Sequence, residues 1–256
     1  MKLYDPVPLS KKTRNLLNKV NTASITSQLR QRGLLRVYLK GLIPVSPKAR
    51  RFIGPAFTVR FIPMREDITI IERVSSPESP QRRAIEEAPA GSVICMDCRG
   101  DTSAGMAGDI LVARLKVRKV EALVVDGGMR DVEECAKFKF PIFCGAPSAP
   151  ASFVAHHAAD LQVPISCGGA AVLPGDILVG DADGVVVIPS NIVGEVAAGA
   201  VEQEQLEAWT QKEVLKGRST FGLYPPNADT LKQYEAWKKK RKVARQRRVR
   251  SAVNLA

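Results

Sequence analysis

The stretch from Gly105 to Glu134, GMAGDILVARLKVRKVEALVVDGGMRDVEE, leaves the chain few ways to fold. A glycine-rich turn opens a helix predicted over 108–118. The chain then returns through an apolar strand, ALVVD, and a second glycine turn leads at once to Arg130 and Asp131. A helix of about ten residues covers about 15 Å, and a strand of six covers about 20 Å. If the two pack antiparallel, the start of the helix and the end of the strand meet at one edge. Gly108 and Asp109 then lie beside residues 127–131. ALVVD is apolar on both faces, as in a sheet covered on both sides. The rest of the chain extends this α/β pattern.

That edge gathers groups with chemistry. The first amides of the helix, around Asp109, Ile110 and Leu111, have no partner within it and favour an anion. The small residues Gly105, Ala107 and Gly108 allow a ligand close to the backbone. Arg130 can grip a carboxylate in bidentate fashion or stabilise a developing oxyanion. Asp131 is a hard oxygen ligand of the kind magnesium takes once or twice while keeping waters. Asp109 can orient or deprotonate a water or hydroxyl. The same residues admit a plainer reading. Asp109 then only favours its helix start, and Arg130 and Asp131 form a loop ion pair worth under about 1 kcal/mol.

Elsewhere the pattern predicts helices over 8–20 and from Thr22 to about Gly33, with a loop over LIPVSPKARRFIGPAF. Strands are predicted at AFTVRF, SVICMD and FPIFCGA, then in AAVLPGDILVG and DGVVVIP. Arg65 to Pro80 reads as turns, Arg82–Glu87 and Val132–Lys137 as short helices, and 191–216 as a long one. After the Pro225–Pro226 break, Asn227 or Asp229 caps a last helix. This organisation is one α/β domain over 1–222 with a helical extension and basic tail over 223–256.

Composition excludes some classes. The chain is 45% hydrophobic and 25% charged, as globular proteins are. No apolar run approaches the roughly 20 residues needed to cross a bilayer. The start lacks an apolar signal core, so a cytoplasmic protein is expected. Five cysteines without a secretory signal read as reduced thiols. Cys95 and Cys98 fall on a buried strand, with no second pair to complete a zinc site. The net charge of +12 is mostly a tail, since nine Lys or Arg and no acid lie between Lys238 and Arg250. That run reads as a solvated helix end, with RNA, anionic lipid, an acidic partner or nuclear import as alternatives. Asp176, Asp181 and Asp183 read as turn carboxylates. His156 and His157 are given a local role, and Trp209, Tyr234 and Trp237 a packing role. The glycines at Gly168 and Gly169 lack the spacing of a dinucleotide fingerprint.

Three motifs carry a resemblance: Gly108–Asp109, VVDGGMRDVEE from Val124, and VLPGDILVGDADGVVVIP from Val172. Over about 20–222 the chain resembles the class II 4-hydroxy-4-methyl-2-oxoglutarate/4-carboxy-4-hydroxy-2-oxoadipate aldolases. Relatives of these include the regulator of ribonuclease activity A. The resemblance implies an RraA-like swivelling β/β/α sandwich with helical N- and C-terminal extensions. It also implies a homotrimer or hexamer with sites between subunits, and Mg2+ or Mn2+ as cofactor. In this chain Asp131 would bind the metal, Arg130 would contact the keto-acid end, and Asp109 would hold the water that acts as base. The amides of Ile110 and Leu111 would receive the pyruvyl carboxylate beside Gly108. Glu207, with Glu204 as second choice, would come from a neighbouring subunit to order metal-bound water. GLYPP at Gly222–Pro226 is similar to a longer subgroup named for ribonuclease regulation.

The activity so implied is retro-aldol cleavage of a 4-hydroxy-2-oxo acid to pyruvate, with oxaloacetate decarboxylation as a side activity through the same enolate. The regulator lacks the carboxylate that Asp131 supplies, which favours catalysis. The rivals are a non-catalytic protein that contacts a ribonuclease or nucleic acid, by its ring surface and the 238–250 tail, and another sugar-acid lyase on the same scaffold. No membrane role is expected.

Overall fold

A computed structural model describes residues 7–253, with side chains as far as Arg241. The chain forms two compact units, one up to Val201 and one from Glu202 on.

The first unit begins with α1 (Lys11–Leu17) and α2 (Thr22–Gln31), each started by a side-chain cap. Ser10 accepts from the Thr13 amide at 3.0 Å and Asn21 from that of Ser24 at 2.8 Å. The Ser10 cap makes α1 shorter than the helix expected over 8–20. Gly33, at φ 80°, supplies the left-handed turn after α2. Two short strands follow, β1 (Tyr38–Leu39) and β2 (Ile43–Pro44), and then the long β3 (Phe52–Pro63). The loop expected up to Phe57 is therefore wrong in two places. Pro55 is tolerated inside β3 because it stands where the strand changes neighbours. Phe52–Pro55 pair antiparallel with one strand, and Ala56–Arg60 run parallel to another.

The segment expected to be turns holds the short α3 (Ile71–Val74), and α4 (Pro80–Glu87) has proline in its first turn. Then come β4 (Val93–Asp97), α5 (Asp109–Val117), β5 (Ala122–Met129), α6 (Val132–Lys137) and β6 (Ile142–Pro147). A 3-10 turn at Ser152–Val154 leads into β7 (His156–Leu161). The remaining strands are β8 (Ile165–Cys167), β9 (Ala170–Val172), β10 (Ile177–Asp181) and β11 (Gly184–Ile188).

The main sheet is mixed, in the order β1-β11-β10-β3-β4-β5-β6-β2, with β7 also on β3. Its middle, β3 to β6, is parallel, and its flanks are antiparallel. Alternation along the central strands feeds two cores. Val93 and Cys95 of β4, with Ala122 and Val124 of β5, face one side. There they meet Ile25 and Leu29 of α2 and the β8–β9 ribbon. Ile94, Met96, Leu123 and Val125 face the other side, against Ile85 of α4, Leu115 of α5 and Cys135 of α6. The layers are thus ribbon, sheet and helices, and full burial of each aliphatic side chain favours them by about 1.5–3 kcal/mol.

Two buried carboxylates pin the ribbon. Asp126 of β5 accepts from the amides of Cys98 and Gly168, and Asp97 accepts from Ser166 at 3.1 Å. Burial raises Asp126 to about 6, against the pull of its amide donors.

α7 (Val193–Leu215) straddles the boundary between the units, and α8 (Ala228–Val253) follows. In the second unit Trp209, Leu223 and Tyr234 form a small core. Tyr234 stacks on Trp237 at 5.9 Å, so the packing role expected of these aromatics is met. Asn227 caps α8, accepting from Thr230 at 2.9 Å. The basic run lies on α8; Arg241 sits over the Trp237 ring at 5.3 Å. The side chains of 242–250 fall outside the described residues.

Candidate functional site

The expected return is present. β5 continues through Gly127 and Gly128 to Met129, so the second glycine turn is in fact strand. Neither glycine has a positive φ. They serve close approach instead. A Cβ on Gly127 would lie 2.7 Å from that of Cys98, and one on Gly128 would lie 2.5 Å from the Ala104 carbonyl. The left-handed residue is Asp131 itself, at φ 52° and ψ 40°, which turns the chain from β5 into α6.

Backbone hydrogen bonds lock residues 105–108 against the end of β5. The amide of Met106 donates to Gly128 at 2.9 Å, that of Arg130 to Ala107 at 2.9 Å, and that of Gly105 to Pro150 at 2.8 Å. This places Gly108 against Asp131 and Gly105 against Arg130. Cβ atoms there would lie 2.3 Å from Asp131 Oδ2 and 2.2 Å from Arg130 Cγ. Only glycine leaves these side chains where they are.

Gly108 caps α5 with extended backbone and Asp109 is its first residue. The Asp109 carboxylate accepts from the amide of Ile110 at 2.8 Å. Of the two amides expected to bind a carboxylate, that of Ile110 is thus engaged by its neighbour, and the Ile110 side chain is 77% exposed. Leu111 lines a cavity of about 200 Å3 together with Gly105, Ala107, Gly108 and Arg130. Gln81, Arg82 and Ser152 complete it from distant parts of the chain. The sequence pattern did not point to these three. The proline that starts α4 marked the helix, but nothing marked the face it turns to the site.

Arg130 and Asp131 form no ion pair with each other, nor with any other described residue. Arg130 Nε is buried without a partner among the described residues, a donor left for a ligand. Burial, then the charges of Asp131 and Asp109, push the Cys135 thiol up to about 11. Both carboxylates therefore share one neighbourhood. Among the described residues no three His, Cys, Asp or Glu converge to hold a metal. A cation here would rest on Asp131 and water, a donor set that suits Mg2+ or Mn2+. Glu207 lies in the second unit, half-buried on α7, and accepts from Gln203 at 2.8 Å. With Glu204 it lines a cavity of about 410 Å3 within that unit.

Other expected features resolve locally. Asp181 accepts from the Thr22 amide and hydroxyl, both at 2.7 Å, and Asp176 from Leu173 at 2.9 Å. These are cap and turn roles. All five cysteines are free and buried. No helix among the described residues is long and apolar enough to cross a membrane.

Comparison with known proteins agrees with this architecture. A relative from Halalkalibacterium halodurans, named "Putative 4-hydroxy-4-methyl-2-oxoglutarate aldolase", is 37% identical over 54% of this chain and 60% of its own length. The 4-hydroxy-4-methyl-2-oxoglutarate aldolase of Thermus thermophilus is 31% identical over 50% of this chain and 77% of its own. Protein DlpA of Legionella pneumophila is 29% identical, over 71% of this chain but only 29% of its own length. The chain thus spans less than two thirds of the length of two of these relatives. Among solved structures, Streptomyces coelicolor RraAS2 is described as an unusual member of the RNase ES inhibitor RraA protein family. It superposes with a TM-score of 0.71 at 29% identity, over 81% of this chain and 98% of its own. A family profile described as RraA-like, Aldolase/RraA, matches residues 22–187, and the chain belongs to that family.

Proposed function

We propose that this protein is a divalent-metal-dependent lyase that cleaves a 4-hydroxy-2-oxo acid to pyruvate, with oxaloacetate decarboxylation as a side activity. The observation that carries this reading is the Arg130 Nε, buried without a partner among the described residues, in a glycine-walled cavity beside Asp131. In this reading Arg130 binds the carboxylate and 2-oxo end of the substrate. It also stabilises the pyruvate enolate as negative charge develops. Asp109 holds the water that takes the C4 hydroxyl proton, while the C3–C4 bond breaks and its electron pair passes to C3. Gly108 and the first turn of α5, at Ile110 and Leu111, favour the anion through the helix dipole. A cation held by Asp131 would polarise the 2-oxo group. Glu207 of a neighbouring copy in a homotrimer or hexamer would order water there. The names of the aldolase relatives support the reaction class.

The test is direct. Purified protein with Mg2+ or Mn2+ should release pyruvate from oxaloacetate and from 4-hydroxy-2-oxo acids, and EDTA should abolish the release. An Asp131→Ala variant with full metal-dependent activity would overturn the assignment.

A second reading is favoured by the likeness to RraAS2: a non-catalytic regulator that contacts a ribonuclease. Nuclease-treated pulldown by the protein and by a variant cut before Lys238 tests it. Ribonuclease capture together with no lyase activity on any 2-oxo acid would favour this reading over the first.

A further inference from the structure

α8 is 26 residues long, and its apolar core contacts among the described residues end at Trp237. Up to that point the helix is fastened to its own unit. Tyr234 is buried in the small core, and Trp237 stacks on it. Lys238 pairs with Glu202 and Glu235. Beyond Trp237 the sequence changes at once. Residues 238–250 hold nine Lys or Arg and no acid, and the remaining residues are Val243, Ala244, Gln246 and Val249. Lys239, Lys240 and Arg241 are exposed. The helical backbone nonetheless continues through this run to Val253. Like charges three and four residues apart oppose a helix. Lys238 and Arg241, Lys238 and Lys242, Arg241 and Arg245, and Arg245 and Arg248 all have that spacing. A dense counter-charge along the helix relieves them.

Composition narrows the source of that counter-charge. At about 100° per residue the basic positions fall all round the helix and leave no apolar face. A helix that lies in a bilayer surface needs such a face, with Trp, Phe or Leu on it. A protein interface centres on aromatic or other large anchors in desolvated pockets, and the run has no aromatic residue and no Leu, Ile or Met. Duplex DNA needs neither, because its phosphates supply affinity without regard to sequence. Residues 238–250 span about 20 Å of helix, a length over which the duplex carries about 12 charges. The B-DNA major groove, about 12 Å wide, admits an α-helix. Phosphates then flank it on both sides, which matches charge placed all round. The major groove of duplex RNA is too deep and narrow for this. We propose that residues 238–250 of α8 are a DNA-binding element that lies in the major groove of duplex DNA and grips its phosphates without reading sequence. The contact is independent of the reaction proposed for Arg130.

The test is fluorescence anisotropy of a labelled DNA duplex of about 24 base pairs and arbitrary sequence, titrated with the full chain from about 50 to about 300 mM KCl. Kd should be tighter than about 10 µM at ~100 mM salt, and log K should fall against log salt with a slope of about −5 or steeper, as when six or more phosphates are engaged. A variant carrying Lys242→Gln, Arg245→Gln, Arg247→Gln, Arg248→Gln and Arg250→Gln leaves Lys238 and Arg241 on their aromatic partners. It should bind at least ~10-fold more weakly, with a slope shallower by about 4. Changing the same four arginines to Lys keeps the charge and should keep the binding. A duplex RNA of equal length, vesicles of phosphatidylcholine with phosphatidylserine, and poly-glutamate are the competing arms, and each should bind at least ~5-fold more weakly than DNA. A competitor bound within that margin, a slope shallower than about −2, DNA binding that survives the Gln substitutions, or binding lost in the Lys variant overturns the proposal.

Discussion

Gly108 and Asp131 face each other so closely that a methyl group on the first would lie 2.3 Å from a carboxylate oxygen of the second. One residue caps α5, and the other turns the chain out of β5 into α6. Helix and strand thus carry their ends to a single point, where a carboxylate stands without an ion pair among the described residues.

Gly108→Ala is the mildest perturbation of that point. The crowded atom is the far end of a side chain, so Asp131 can rotate away while the fold stays intact. Pyruvate release should fall at least ~10-fold, the order of loss expected from slight misplacement of a catalytic group. Melting temperature, read by circular dichroism, should barely move.

Gly105→Ala should behave differently. Its new Cβ would lie 2.7 Å from the Ser148 carbonyl and 2.9 Å from the Arg130 amide, both backbone atoms. Overpacking of this sort costs about 1–3 kcal/mol. Urea unfolding should show that loss, together with loss of activity.

Arg130→Lys keeps the charge and removes the planar fork. If Arg130 binds the keto-acid end, kcat/KM for pyruvate release should drop by about 10²–10³. A change under ~3-fold would place the guanidinium outside the reaction, because a bidentate contact is worth more than that.

Stability should fall as pH rises from about 4 to about 6. Burial raises both Asp126 and Asp176 to about 6, above their ordinary 3.8. The folded state therefore binds protons that the unfolded chain has released, and ionisation works against folding across that window. Each carboxylate contributes on the order of 3 kcal/mol at most. Denaturant midpoints measured at pH 4, 5 and 6.5 should decline in order. Asp126→Asn should flatten the slope while lowering stability at pH 7, since Cys98 and Gly168 donate to different carboxylate oxygens and the amide nitrogen that replaces one of them cannot accept.

Much of this was legible in the sequence. Apolar residues on both faces of ALVVD announced a covered sheet, and the lengths of helix and strand announced the return. What failed is instructive. The pair Gly127–Gly128 looks like a turn, yet its glycines answer to Cys98 and Ala104, which lie on a different segment. Pro55 looks like a strand breaker, yet it stands where β3 changes neighbours. Neither fact is local, so no window of sequence holds it. The same is true of the cavity: Gly108, Leu111 and Arg130 lie within one motif, whereas Gln81 and Ser152 arrive only through tertiary packing. The domain division expected at 222–223 and the partnership of Glu207 concern the second unit, where the motif gives no guidance.

The glycine wall has one more consequence. A floor built from main chain offers almost no side chain to alter, so under the proposed lyase function variants there would lose the reaction before they gained a new substrate. Diversification is left to the outer rim, contributed by α3, α4 and the 3-10 turn at Ser152–Val154. On the lyase reading, that rim can be rewritten without disturbing the Arg130 end, much as a tool keeps its blade while the handle is recut.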